Sequence, residues 1–160
     1  MGAALNPVSA AAPVLPLRAV ETVADLLRQQ PSDAKGGRRI ITIRMSETVK
    51  DAITMMAKER VGALVVTDAC ATEGHVVVGM FSERDVVRLL DTHGPAAMSM
   101  KLGAVMTIAV ISCTLGDTLD HVCGVMDEKR IRHVPVMQDG ALVGVLSVRD
   151  VIAGVRRRSA

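Results

Sequence analysis

Residues 47–66 read Glu47-Thr-Val-Lys-Asp-Ala-Ile-Thr-Met-Met-Ala-Lys-Glu-Arg-Val-Gly-Ala-Leu-Val-Val66, and residues 117–136 read Asp117-Thr-Leu-Asp-His-Val-Cys-Gly-Val-Met-Asp-Glu-Lys-Arg-Ile-Arg-His-Val-Pro-Val136. The stretches align without a gap: Thr48 meets Thr118, Met56 meets Met126, Arg60 meets Arg130 and Val66 meets Val136. After a loop of unequal length the likeness resumes, with Val78-Gly-Met-Phe-Ser-Glu-Arg-Asp-Val-Val87 against Val143-Gly-Val-Leu-Ser-Val-Arg-Asp-Val-Ile152. A β-branched run precedes each copy, Ile40–Ile43 and Val110–Cys113. The chain is one unit written twice.

Each copy has the same local grammar. The opening run is β-rich. A helix follows, with apolar residues at helical spacing: Val49, Ala52, Ile53 and Met56, or Leu119, Val122, Cys123 and Met126. Two short strands come next, Ala63–Val66 and Val76–Phe81, or Val134–Val136 and Leu142–Leu146, and a helix opened by Ser82 or Ser147 closes the unit. The fold class is therefore α/β (α+β): two β-α-β-β-α repeats packed as a pseudo-two-fold pair, since neither copy alone is long enough for a comfortable core. Residues 1–17 are Ala- and Pro-rich and read as a flexible leader. The first repeat spans 18–90, with a short helix from Thr22 through Leu27 and a polar loop from Ser32 to Arg39. Residues 91–100 are a linker that Gly94-Pro95 turns, 101–155 form the second repeat, and 156–160 are a basic tail with Arg156, Arg157 and Arg158.

Of 160 residues, 49% are hydrophobic and 1% aromatic, Phe81 being the single aromatic. That excludes recognition by stacking, as in RNA-binding sheets, single-strand binders and aromatic cages. The net charge of +2, from 19 Lys and Arg against 17 Asp and Glu, makes nucleic acid an unexpected partner. Cys70, Cys113 and Cys123 are irregularly spaced and fit buried thiols in a reducing compartment, with no metal-ligand spacing. No apolar run is long enough to span a membrane, and a cytoplasmic location is expected. His75, His93 and His121 stand in unrelated contexts, with no nucleophile–base pair, P-loop or metal motif beside them. An enzyme is not expected.

Ser82-x-x-Asp85 and Ser147-x-x-Asp150 carry two readings. One is a capping box, in which Ser and Asp satisfy the first amides of a helix. The other uses the same place differently: a helix N-terminus and a Ser hydroxyl suit phosphate, and a carboxylate can take both hydroxyls of a ribose. Together these fit a ribonucleotide. Gly79 and Gly144, placed at the strand ends, permit either a turn or close approach to a ligand. Arg84 and Arg149 lie inside the motif, while Arg132 and His133 precede Val134-Pro135. Each cation is either solvated or a phosphate partner.

The blocks Met56–Val66 with Gly79–Asp85, and Met126–Val136 with Gly144–Asp150, resemble cystathionine-β-synthase (CBS) domains, which occur in tandem as a Bateman module. The resemblance covers residues 18–155 and is similar in layout to small stand-alone bacterial CBS-pair proteins. It implies a regulatory nucleotide sensor with no metal, two sites anchored at Asp85 and Asp150, and AMP, ADP, ATP or NAD(H) as ligand. It implies that Arg132 and His133 serve the nucleotide anchored at Asp85. The first copy has Gly62 and Ala63 in their place, so two unequal sites are expected, one for a charged polyphosphate or dinucleotide and one for a less demanding adenosyl ligand. The adenine slot is expected along Ile41, Thr42 and Ile43, Ala63 and Leu64, Ile111 and Cys113, and Val134 and Pro135, where backbone groups read the base edge. The resemblance also implies a homodimer through helical faces and a separate, unidentified effector protein. The alternative is a dimerisation or protein-interaction module without ligand.

Overall fold

The computed structural model describes residues 22–29, 40–68 and 76–158. The expected leader, the loop from Ser32 to Arg39, Cys70, His75 and the last two residues of the tail lie outside the described residues. The element order is α1 (Val23–Gln29), β1 (Thr42–Arg44), α2 (Val49–Glu59), β2 (Ala63–Thr67), β3 (Val77–Ser82), α3 (Glu83–His93), a 3₁₀ helix (Gly94–Ser99), α4 (Leu102–Val105), α5 (Leu119–Lys129), β4 (His133–Gln138), β5 (Ala141–Ser147) and α6 (Val148–Arg158). In the first repeat β1 runs parallel to β2, and β2 antiparallel to β3. In the second, β4 pairs antiparallel with β5.

The second opening run differs from the first. Only Cys113 pairs, in a single parallel bridge to Val136, where the first copy has a three-residue strand. The Thr114 amide donates to the Asp117 carboxylate at 2.7 Å. The linker differs too: α3 continues to His93, and Gly94–Ser99 wind into a 3₁₀ helix whose Ala97 is fully buried. The expected tail is the last turn of α6 as far as Arg158, with Arg157 Nη1 donating to Gln29 Oε1 at 2.9 Å.

The cores do not follow chain order. One core joins Ile43, Val49, Ala52, Met56, Leu64, Val66 and Phe81 with Leu102 of α4. The other joins Cys113, Leu119, Val122, Met126, Val134, Val136, Leu146 and Val151 with Val23, Leu26 and Leu27 of α1. The helix at the head of the expected first repeat thus packs into the core of the second, and the one at the head of the second packs into the core of the first. Backbone bonds hold both crossings. Val23 N–H donates to the Asp117 carbonyl at 2.9 Å, and Leu102 N–H to the Glu47 carbonyl at 2.9 Å. Burying one such leucine contributes about 1.5–3 kcal/mol. Phe81 and Leu146 are both fully buried at matching strand positions, so the lone aromatic is one more core side chain.

Gly79 and Gly144 are not strand ends, because β3 and β5 run on to Ser82 and Ser147. Each glycine borders a register shift, opposite Val66/Thr67 and Val136/Met137, as a bulge requires. The close neighbour is protein: a Cβ on Gly79 would stand 2.9 Å from the Thr107 carbonyl oxygen. Thr107 exchanges two backbone bonds with Met80 there.

Candidate functional site

Ser147 ends β5 and Asp150 lies in the first turn of α6. The Ser147 N–H and hydroxyl donate to Asp150 Oδ2 at 2.8 and 2.6 Å, and the Asp150 N–H donates back to Ser147 Oγ at 3.3 Å. At the start of α3 the Ser82 N–H and hydroxyl donate to Asp85 Oδ2 at 2.8 and 2.7 Å. The capping reading is therefore realised. It occupies one carboxylate oxygen, and Oδ1 of each aspartate takes no hydrogen bond from a described residue. Capping and ribose binding are compatible. Thr48 and Asp51 make the same pair of bonds at α2, at 2.9 and 2.6 Å, on the exposed surface. Those bonds hold the Asp51 carboxyl below its usual range.

What sets Ser82 and Ser147 apart is the space in front of them. A cleft of about 950 Å³ is lined by Ser147, Arg149 and Asp150 from the second repeat and by Ile40, Ile41, Arg60 and Ala63 from the first. A smaller one, about 160 Å³, is lined by Ser82, Arg84 and Asp85 from the first repeat and by Val110, Ile111 and Arg130 from the second. Each aspartate thus looks onto the opposite repeat. Gly62, Ala63, Arg132 and His133 line both clefts. Ligand pockets usually hold roughly 300–1,000 Å³, so only the Asp150 cleft has room for a nucleotide as it stands. The clefts are unequal in size too: the room is at Asp150, while Arg132 and His133 reach the Asp85 cleft as well as the larger one.

Of the residues expected at the site, the large cleft gathers Ile41, Gly62, Ala63, Arg132, His133, Ser147, Arg149 and Asp150, and the small one adds Ser82, Arg84, Asp85 and Ile111. Thr42, Ile43, Leu64, Cys113, Val134 and Pro135 line neither cleft. Ile43, Leu64, Cys113 and Val134 are at most 6% exposed, in the cores. Strand alternation turns every second side chain inward, and the expected wall ran along whole strands. Among the residues that sequence reasoning missed are Arg60 and Arg130. They are the C-caps of α2 and α5 and adopt left-handed conformations, φ 56° and 53°. Their match across the repeats was the available signal, whereas a left-handed arginine is not legible in a sequence.

Burial pushes the His133 pKa down, the adjacent Arg132 charge adds to this, and Glu83 and Asp150 oppose it. Burial raises the Cys113 thiol to about 11, with Asp117 adding to it, so this cysteine is held as an unreactive thiol. Among the described residues no three His, Cys, Asp or Glu side chains gather as a metal site, and no helix is long and apolar enough to cross a membrane.

Two segments, 37–92 and 102–157, match the CBS domain family. A mitochondrial CBS domain-containing protein of Arabidopsis thaliana is 32% identical over 136 residues, which is 84% of this chain and 64% of that protein. Inosine-5′-monophosphate dehydrogenase of Staphylococcus haemolyticus is 30% identical over 66% of this chain and 20% of its own length. The chain thus spans less than two thirds of these relatives. Among solved structures, a CBS-domain containing protein of Agrobacterium tumefaciens is 31% identical with a TM-score of 0.75, over 89% of this chain and 98% of its own. A CBS domain pair solved in complex with 5′-methylthioadenosine and S-adenosyl-L-methionine is 22% identical with a TM-score of 0.63, over 73% of this chain and 88% of its own.

Proposed function

The chain belongs to the CBS-domain family, and from that premise we propose that it is a regulatory module whose large cleft binds an adenosyl nucleotide, AMP, ADP, ATP or NAD(H). One observation carries the reading. The cleft of about 950 Å³ joins an aliphatic wall, a cation cluster and an aspartate with an open oxygen, drawn from both repeats. Asp150 Oδ1 accepts the ribose hydroxyls. Ser147 and the start of α6 face the first phosphate, and Arg60, Arg132 and Arg149 balance its charge. The base lies against Ile40, Ile41 and Ala63 and is read by backbone groups, as the lack of aromatics requires. A domain pair of the same fold holds two adenosyl ligands, which supports this ligand class.

Because the cleft takes its walls from both repeats, a bound nucleotide favours the arrangement in which they close on it. Only that difference in affinity between arrangements transmits a signal. The output goes to a separate effector protein. Val87 and Leu90 on α3 and Ile152 on α6 are 67%, 40% and 42% exposed, and the chain pairs with a second copy through these helices. Thermal shift against the adenosyl panel tests the reading: a ligand at a hundred times its Kd adds about 2.7 kcal/mol. No shift with any adenosyl ligand at millimolar concentration returns the chain to the alternative, an interaction module whose Ser-x-x-Asp pairs only cap helices.

A further inference from the structure

The closing helices of the two repeats, α3 and α6, hold equivalent places and carry opposite charge. The repeat alignment sets Val87 against Ile152. Four residues on, one turn along the same helix face, it sets Asp91 against Arg156. Val87 and Ile152 are 67% and 42% exposed, and Leu90, beside Val87, is 40% exposed. Asp91 and Arg156 are exposed too, and neither makes an ion pair or hydrogen bond with a described residue. Arg88, the nearest cation to Asp91 along α3, lines the small cleft instead. Arg157, next to Arg156, is exposed and adds to the positive end of α6.

The first turns of both helices border one cleft. Glu83, Val86 and Val87 line it from α3, and Val148, Arg149 and Asp150 from α6. A single partner can therefore reach both. Because the chain is itself a pseudo-two-fold pair, a second copy can approach in two ways. In a parallel dimer each helix meets its own copy, so acidic positions face each other and arginines face arginines. In an antiparallel dimer α3 of each copy meets α6 of the other, and two-fold symmetry makes that contact twice. Opposite charges across an interface favour association and like charges oppose it.

We infer that two copies of this chain pair antiparallel, α3 of each against α6 of the other, with Asp91 of one copy opposite Arg156 of the other. This rests on the helix-face pairing proposed above and fixes its orientation. Val87, Leu90 and Ile152 supply the apolar contact. Val87 and Ile152 are alike, so burial alone leaves the two arrangements equal and the charges choose between them.

Sedimentation equilibrium of the whole chain tests the inference. The expected species is a dimer whose Kd rises with salt, as the ion pairs are screened. Asp91→Arg should weaken it about tenfold or more, because both symmetry-related contacts change from opposite to like charge. Arg156→Glu should do the same. The chain carrying both exchanges should regain most of the lost affinity, since each contact is again a pair of opposite charges. Both positions are exposed, and circular dichroism verifies each fold. A dimer that tightens with salt and keeps its Kd in both single variants is parallel, which overturns the orientation and leaves the pairing intact. Single-variant losses that the double exchange fails to restore overturn the orientation as well. A chain that stays monomeric at its highest soluble concentration leaves this face to a different protein, and pairing and orientation fall together.

Discussion

Asp150 and Asp51 accept the same pair of bonds, from a Ser and from a Thr, and only one of them faces a cleft. That contrast separates capping from binding. Thr48→Ala removes a cap and should cost about 1 kcal/mol in urea denaturation, with the nucleotide-induced thermal shift unchanged. Asp150→Ala should abolish that shift. Its cap loss shows separately as a lower baseline melting temperature. His133 supplies a pH signature. Its folded pKa lies below the ordinary 6.5, because burial and Arg132 outweigh Glu83 and Asp150. Between the folded value and 6.5 the unfolded chain binds more protons than the folded one, so stability rises with pH across that window and is flat above it. In urea midpoints measured from pH 5 to 8, His133→Gln should flatten this rise. The Ser-x-x-Asp pairs were legible at this scale because both their readings need the same residues at the same spacing. The left-handed Arg60 and Arg130 were not, since φ at a helix end is decided by where the chain must go to pack its next strand.

At the scale of elements, the helix spacing and the buried strands were legible because the period of apolar residues reports which face is covered. The strand at Val110–Cys113 was not. β-branched residues favour a ladder, but here only Cys113 pairs, with Val136, so the run does not become a strand. The paired glycines show the same limit. Gly79 and Gly144 match in sequence and differ in what surrounds them. A Cβ at 79 meets the Thr107 backbone at 2.9 Å, and one at 144 meets Leu27 methyls at 3.4 Å and a Val136 methyl at 3.8 Å. Gly79→Ala should therefore destabilise by about 1–3 kcal/mol through overpacking, and Gly144→Ala by clearly less, in paired chemical denaturation.

At the scale of the molecule, α1 and α4 cross between the repeats and lock them together. Leu27 is 1% exposed in the second core although it lies at the head of the expected first repeat. Leu27→Ala should cost about 2–5 kcal/mol. Hydrogen exchange locates the damage: protection should fall first in α5 and α6, with α2 retaining its own. Loss confined to α2 would mean that α1 belongs to the repeat beside it in the chain. The same crossing makes each cleft a joint product of both halves, so a ligand that closes it acts on the whole pair.

The sequence by itself determined the repeated unit, the order of its main helices and paired strands, the family, and the pairs Ser82–Asp85 and Ser147–Asp150. These depend on local spacing, and local spacing survives in one dimension. Tertiary structure alone decided which core takes α1 and which α4, that the room lies at Asp150, and that Gly62 and His133 border two clefts of unequal size. Those features depend on which surfaces meet after the chain has turned back on itself, and volume between two repeats is a property of neither copy alone.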